Sequence, residues 1–530
     1  MPTTKMTRGR CLALFPGAFR PPHLAHFETA LSLASRADID EVIIIITNRC
    51  RHIPGTSKAL VPEVATKIWS IYLQDIAKIR VELAPHSAVK HAQSYFERVN
   101  TDDTLLFCAG ESELKQGFGR FSKINTLSRK YAITASVIAS SPPPLQGGAT
   151  GIRTHLGKGR SGYEAFITAL PNHLSPAQCK EVWQICFQNM REMHDIAKDK
   201  IREIIEQQGI GEIENIRIAK KAKADEIHCV QLKTGQRLFV KYANDTVKAA
   251  KLGQPLSLKP RERLYVERRA LKWLANHSDY DIKLPDVIYF ENKSKTLILS
   301  EVFPNGHFLE DDLKKGVFAP LVLTKISNFL ANCHRTPIQV EPFWGNSEAD
   351  LKHWENLLSI RTDGLQHVNL SKQLKHDLEM LKCASKKATQ HGFFHLDFCP
   401  KNIRLINDEI GVIDFELSSN IGDPAYDFGF LLGHYLFWGI VVSSFSDCHQ
   451  VVQRAIQSYR EMIGHNWSII CPRILGFSAA AIIYCISRNK QPRQMETKLL
   501  NIATALLEQE VDSPEDFNLI FYRIFKHKFE

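Results

Sequence analysis

An α/β chain of two domains is predicted, with a doubly wound parallel sheet first and an α+β domain after it. Three observations predict this. Short apolar strands alternate with helical stretches over the first third of the chain, the pattern of a parallel sheet covered by helices. From Ile216 the pattern changes to two alternating runs around a Thr234-Gly235 turn, which is an antiparallel hairpin. The 530 residues also exceed what one hydrophobic core holds.

Composition narrows the function classes. Hydrophobic residues make up 44% and charged residues 23%, the balance of a soluble globular protein. The net charge of +10 is spread without a dense basic run. That predicts anion-binding clefts on a solubilising surface and no nucleic-acid partner. The 12 cysteines form no CxxC pair, which argues against a zinc module or a disulfide framework and fits a reducing cytosol. Met1 to Arg10 is polar and basic, without an apolar signal segment. The longest apolar run, Phe428 to Phe445, contains His434 and Gly439. It is at or below the length of a membrane span, so a buried helix, no membrane insertion and a cytoplasmic location are expected.

In chain order, Cys11 to Phe15 is the first strand, and Val42 to Thr47 is a β-branched run that fits a strand covered on both faces. Ile79 to Leu83, Thr104 to Ala109 and Thr134 to Ala139 complete the sheet. Ligands of such sheets sit at strand C-termini, so the loop after the first strand is the place to look. There Gly17 lets the backbone approach a phosphate, and a helix beginning near His23 offers N–H groups and a positive dipole end. His23 and His26 are three apart and share a helix face, where two imidazoles can hydrogen-bond phosphate oxygens as charge builds. A lone HxxH is more often two surface or core histidines.

The context Gly17-Ala18-Phe19-Arg20-Pro21-Pro22-His23-Leu24-Ala25-His26 directly after the first strand resembles the nucleotidyltransferase superfamily with the HxGH signature. That superfamily includes cytidylyltransferases, nicotinamide-nucleotide adenylyltransferases and pantetheine-phosphate adenylyltransferase. Ala25 stands where the family usually has Gly. Gly148-Ala149-Thr150-Gly151-Ile152-Arg153 resembles the family's Ser/Thr-x-x-x-Arg element. A Thr cap followed by an Arg suits the outer phosphates of a nucleotide. The resemblance implies a Rossmann-like nucleotidyltransferase domain over 8–195, with His23 and His26 catalytic and Gly17, Thr150 and Arg153 binding nucleotide. Weaker candidates are Arg49, Arg51 and Lys58, in a loop that is as well read as solvated, and Gly110-Glu111. Pro142 to Pro144 followed by Gly147 and Gly148 reads as a stiff-then-flexible connection able to serve as a lid.

Ser175 to Gln208 reads as helical, with 196–208 a helical connection and Gln207-Gln208-Gly209 the boundary. Beyond it the hairpin strand Arg237 to Tyr242 carries Lys241, and the helix Arg261 to Asn276 carries Glu267. A strand Lys and a following helix Glu can form the ion pair that positions ATP phosphates, although each alone reads as a surface charge. The apolar strand Leu297 to Val302 leads to a hinge. Then His395-Leu396-Asp397 and Asn402 precede Ile413-Asp414-Phe415-Glu416. An Asp, an Asn five residues on and an Asp after an apolar strand make a phosphoryl-transfer arrangement. The first takes a hydroxyl proton, and Asn402 and Asp414 hold magnesium.

This set resembles the aminoglycoside phosphotransferase and choline kinase family. It implies a two-lobed protein-kinase-like α+β domain over 209–530, with N-lobe 209–304 and C-lobe 305–530. The resemblance makes Asp397 the base and Asn402 and Asp414 the metal ligands. Lys241 binds phosphate, with Glu267 orienting it, and the hinge backbone meets adenine. Asp427, in Gly422-Asp423-Pro424-Ala425-Tyr426-Asp427, braces the catalytic loop, and His395 is structural. Two departures are Leu396 for the usual Gly and a lysine-rich Ala219 to Glu226 without the glycine pattern. The helices after Asp427 form one wall of the acceptor site.

Together the halves predict a bifunctional enzyme. One half phosphorylates a small-molecule hydroxyl with ATP and Mg2+. The other transfers a nucleotidyl group from CTP or ATP to a phosphorylated small molecule and releases pyrophosphate. The partners are a small-molecule alcohol, its phosphate and nucleoside triphosphates. A choline- or ethanolamine-like alcohol or a riboside fits equally. The rival readings are halves with unrelated substrates, one inactive half, or a nucleotide-sensing regulator without turnover.

Overall fold

The computed structural model describes residues 9–74, 76–85, 87–110, 119–140, 148–221, 225–243, 260–277, 281–291, 296–335, 341–363, 365 and 368–508. The chain divides into two compact units, Met1–Ile201 and Arg202–Glu530.

In the first unit, β1 (Cys11–Gly17), β2 (Glu41–Ile46), β3 (Ile79–Leu83), β4 (Thr104–Gly110) and β5 (Thr134–Ser140) form one sheet in the order β3-β2-β1-β4-β5. Every pairing in it is parallel. The order turns back at β1, so the crevice between β1 and β4 is the switch point of the sheet. Val42, Ile44 and Ile46 join Ala13 and Phe15 in one apolar cluster, while Ile43 and Ile45 join Leu12 and Leu14 in another. Successive strand side chains point to opposite faces, so the unbroken run of β2 reflects cover on both sides. Helix α1 (Leu24–Ser35) follows β1, and α2 (Gly148–Gly157) follows β5.

The helical reading of Ser175 to Gln208 is interrupted. Helix α3 (Pro176–Gln188) starts with a capping box on Ser175. Met190–Glu192 then forms a short strand against Lys58–Leu60, and α4 (Met193–Gln207) resumes. A strand made by pairing with a segment so distant leaves no trace in local periodicity. The division between units falls inside α4.

In the second unit, β6 (Ile213–Lys221), β7 (Asp225–Leu232), β8 (Arg237–Ala243), β9 (Val287–Glu291) and β10 (Thr296–Ser300) form an antiparallel sheet in the order β9-β10-β8-β7-β6. The hairpin β7–β8 turns at Gly235, whose φ of +86 carries no Cβ penalty for glycine. Helix α5 (Pro260–Ala275) packs on β8 and β10.

The rest is mainly helical, with α6 (Ser347–Thr362), β11 (Gln390–Phe394), the hairpin β12 (Ile403–Ile406) and β13 (Glu409–Val412), then α7 (Pro424–Val441), α8 (Phe445–Ile463), α9 (Trp467–Arg488) and α10 (Arg493–Leu507). Helix α7 is buried from Pro424 to Ile440, as a helix apolar on all sides must be. It lies close on α9 because Gly429 and Gly433 have no side chains. A Cβ on Gly433 would come within 2.4 Å of the Ser478 carbonyl oxygen. The apolar run that starts at Phe428 is thus core. Among the described residues α9 is the one helix long and apolar enough to cross a membrane, yet 78% of its most apolar stretch is buried inside the unit.

Candidate functional site

In the second unit Asp397 lies in the loop between β11 and β12. Leu396 before it takes the left-handed conformation, with φ +61. The loop is fixed by Asp427 on α7, whose carboxylate accepts from the backbone N–H groups of His395 at 2.8 Å and Leu396 at 2.9 Å. His395 Nε2 meets the Ile413 carbonyl at 3.1 Å, and its Nδ1 accepts from the Asp397 N–H at 3.3 Å. The first is a donor and the second an acceptor, so the ring is neutral and bridges the two functional loops. Burial favours that neutral form.

Three donors converge on Asp397. Arg361 Nη2 meets Oδ1 at 2.5 Å, while Asn402 Nδ2 at 3.0 Å and Lys401 Nζ at 3.1 Å meet Oδ2. Burial favours the neutral acid, but Arg361 and Lys401 outweigh it and hold the carboxyl below its usual range. Asn402 also donates to the main-chain oxygen of Asp397 at 2.9 Å.

Asp414 follows β13 with φ +70. Lys241, on β8, lies 2.8 Å from Glu267 on α5 and 2.7 Å from Asp414. Burial alone would lower the lysine pKa, but Asp414 and Glu267 raise it above its ordinary value, so the ammonium stays charged. Carboxylate oxygens of Glu267, Asp414 and Glu416 lie within 4.8 Å of one another. Burial and the neighbouring Asp414 push Glu416 up to about 7. A cluster of hard oxygen donors is the chemistry that suits magnesium. A cleft of about 420 Å3 is lined by Lys241, Glu267, Glu301, Val302, Asn402 and Asp414. That is within the size range of small-ligand sites.

The structure therefore brings Asp397 to Asn402 and Asp414 to Lys241 and Glu267. Sequence reasoning missed Arg361, Lys401 and Glu416. Lys401 and Glu416 sit inside the motifs that were read. Arg361 is 36 residues from Asp397, on a helix without a motif.

In the first unit His23 is the N-cap residue of α1. The His23 and His26 rings stack with centroids 3.6 Å apart, and Phe19 packs edge-on against His26 at 4.9 Å. His23 is buried and His26 half-buried, each with its Nδ1 atom buried and unpartnered among the described residues. Burial pushes His23 down to about 4 and His26 well below its usual value, so both are neutral. The amides at the start of α1 are less open than expected. The Leu24 N–H donates to the Ala169 carbonyl at 2.9 Å and the His26 N–H to the His23 carbonyl at 2.9 Å. At Gly17 a Cβ would meet the Phe19 ring at 2.5 Å, so this position needs glycine for packing.

Thr150 does not cap its helix, because α2 already begins at Gly148. Its hydroxyl accepts from Arg153 at 3.0 Å. Arg153 also donates to the Arg20 and His52 carbonyls, each at 3.1 Å, which ties α2 to the loop after β1. Burial, then neighbouring Arg51, lowers its pKa. Arg20 is buried, with its own pKa pushed down to about 10, chiefly by burial. Arg51 and Lys58 lie in the short strands Arg51–His52 and Lys58–Leu60 rather than in an open loop, and Arg49 is exposed before them. Gly110 ends β4. Glu111, Pro142 to Pro144 and Gly147 lie outside the described residues, as does part of Ala219 to Glu226.

Residues 230–447 match the family model described as the phosphotransferase enzyme family. The C-terminal region carries a phosphotransferase-family domain. Solved structures similar to this chain include a macrolide 2'-phosphotransferase from Brachybacterium faecium, at 16% identity over 59% of this chain and 100% of that one, TM-score 0.36. A choline kinase from Streptococcus pneumoniae matches at 14% identity over 60% and 99%, TM-score 0.36. The gentamicin complex of an aminoglycoside 2''-phosphotransferase matches at 18% identity over 59% and 96%, TM-score 0.35. No curated protein matches the chain.

Proposed function

We propose that the chain is a bifunctional enzyme, with a small-molecule kinase at 209–530 and a nucleotidyltransferase at 8–195, joined by 196–208. The kinase reading is carried by one observation. Lys241 bridges Glu267 and Asp414 at the wall of the cleft that also holds Asn402, beside Asp397. ATP would lie with its adenine against the backbone near Glu301 and Val302. Its phosphates would meet Lys241, which Glu267 holds in place. Asp414, Glu416 and Asn402 would hold Mg2+, which when bound neutralises phosphate charge. Asp397, kept ionised, accepts the proton of the acceptor hydroxyl as oxygen attacks the γ-phosphorus.

In the first unit the supporting observation is the stacked pair of neutral imidazoles at the start of α1, the helix that follows β1, the switch-point strand. His23 and His26 would donate to phosphate oxygens while a phosphorylated alcohol attacks the α-phosphorus of CTP or ATP and pyrophosphate leaves. Gly17, Thr150 and Arg153 would border the nucleotide. Both sites stabilise developing charge with fixed dipoles and cations. A cytoplasmic location suits both nucleotides.

The test is a paired assay of ADP and pyrophosphate across an alcohol panel with Mg2+, ATP and CTP. Asp397→Asn is expected to abolish ADP formation and leave pyrophosphate release from pre-phosphorylated substrate. His26→Ala is expected to do the reverse. Loss of both activities in either folded variant would exclude two separate sites.

A further inference from the structure

Resting on the kinase reading of Asp397, we infer that the acceptor alcohol carries an anionic group, a carboxylate or a phosphate, that Arg361 and Lys401 bind. Asp397 is held by two full positive charges and an amide. A base that must take a hydroxyl proton is here occupied on both oxygens. Arg361 is 8% exposed. Its guanidinium lies over the rings of Phe430 at 5.1 Å and Tyr484 at 4.7 Å. Its Nε is buried without a hydrogen-bond partner, and so are Tyr426 Oη and His434 Nε2 nearby. Buried polar atoms seldom go unpaired in a native structure, and here one is the cation's own nitrogen and two belong to side chains close enough to sense its charge. Lys401, 46% exposed at its side chain, reaches the same carboxylate from the cleft side.

Among the described residues, four carboxylates that could serve a cationic acceptor are already engaged. Asp427 accepts from two loop amides. Asp423 is paired with Arg473 at 2.7 Å, Asp363 with Lys382 at 3.0 Å and Glu310 with Lys314 at 2.9 Å. With Asp397 committed to proton transfer, the charge left on its partners is positive. A planar guanidinium is the group that takes a carboxylate or phosphate through two hydrogen bonds.

The acceptor anion replaces Asp397 as the partner of Arg361. The freed Asp397 oxygen takes the hydroxyl proton. The alcohol oxygen bonds to the γ-phosphorus, the bond from that phosphorus to the bridging oxygen breaks, and ADP leaves with the electron pair. Binding of the right acceptor thereby exposes the base, which discourages transfer to water.

The experiment measures ADP formation by the full chain with Mg2+ and ATP. The acceptors are glycerate and lactate, then glycerol phosphate and ribose phosphate, then glycerol and ribose, then choline and ethanolamine. Turnover confined to the first two groups is expected, and which of these turns over separates carboxylate from phosphate. Arg361→Gln and, because that buried site is sensitive, the more exposed Lys401→Gln should each raise KM for the anionic acceptor. The rise is expected to be about tenfold to a hundredfold, the worth of a charge-assisted hydrogen bond. For Arg361→Gln, whose side chain is not among those lining the ATP cleft, KM for ATP should stay within about twofold, which a merely structural loss would not preserve. Asp397-dependent turnover of neutral or cationic alcohols overturns the inference and leaves the kinase reading standing. No ADP from any acceptor, with the protein folded, overturns both.

Discussion

Leu396 has φ +61 and no exposed surface. A bulky residue in the left-handed region costs roughly 1–2 kcal/mol, and the loop holds it there through the hydrogen bonds that the His395 and Leu396 N–H groups donate to Asp427. Its departure from the usual glycine was visible in the sequence. Its consequence was not, because only the backbone angle shows that the replaced glycine stood where glycine is easiest. Leu396→Gly would relieve the backbone but empty a core position, where losing a leucine side chain costs about 2–5 kcal/mol. Packing wins. The variant is expected to unfold at lower denaturant, by roughly 1–4 kcal/mol, and a more stable variant would show that strain dominates. Asp397, Asn402 and Asp414 were legible for a related reason, since polar residues there interrupt apolar strands at a fixed spacing. Arg361 was not, because its partner lies 36 residues away and an arginine at the end of an ordinary helix carries no local signal.

At the scale of elements, the five strands of the first sheet, the β7–β8 hairpin and β10 were legible, because apolar runs and alternation are local. What was not legible depended on distant partners. The strand Met190–Glu192 exists only against Lys58–Leu60, and Thr150 failed as a cap because its helix begins earlier. Close approach of helices belongs to the same class. Gly429 and Gly433 read as two glycines in an apolar run, yet they set the distance between α7 and α9. Gly433→Ala would place a methyl near 2.4 Å from the Ser478 carbonyl oxygen and 2.5 Å from Ala481 Cβ. The helices must then part, at a cost of about 1–3 kcal/mol. A lower melting temperature by calorimetry is expected, despite the better helix propensity of alanine. An unchanged value would mean the pair has slack.

For the whole molecule, buried neutral histidines set the response to acid. Burial pushes His23 and His353 from 6.5 down to about 4 and His434 down to about 3. His353 is in α6 and His434 in α7. All three have folded values below the unfolded one, so the unfolded chain binds more protons between the two. Stability therefore rises with pH across that window. It is full above about 6.5 and lost as pH falls toward about 4, by up to roughly 3 kcal/mol for each histidine. Denaturant titrations at about pH 7.5 and about pH 5 should show the weakening in both units. Equal stability at the two values would mean that these rings gain protons without unfolding.

Asp427 lies 32 residues after His395, and that spacing bears on how the kinase loop comes into being. A nascent chain ending before Asp427 would contain Asp397, Asn402 and Asp414, yet it would lack the carboxylate that holds the amides of His395 and Leu396. The loop has all of its hydrogen bonds only when the first turn of α7 is docked. In hydrogen exchange the amides of His395 and Leu396 are latched to a carboxylate of the most buried helix. Their protons are released when α7 leaves its seat, so these two amides gauge the helical core and not the mobility of a surface loop.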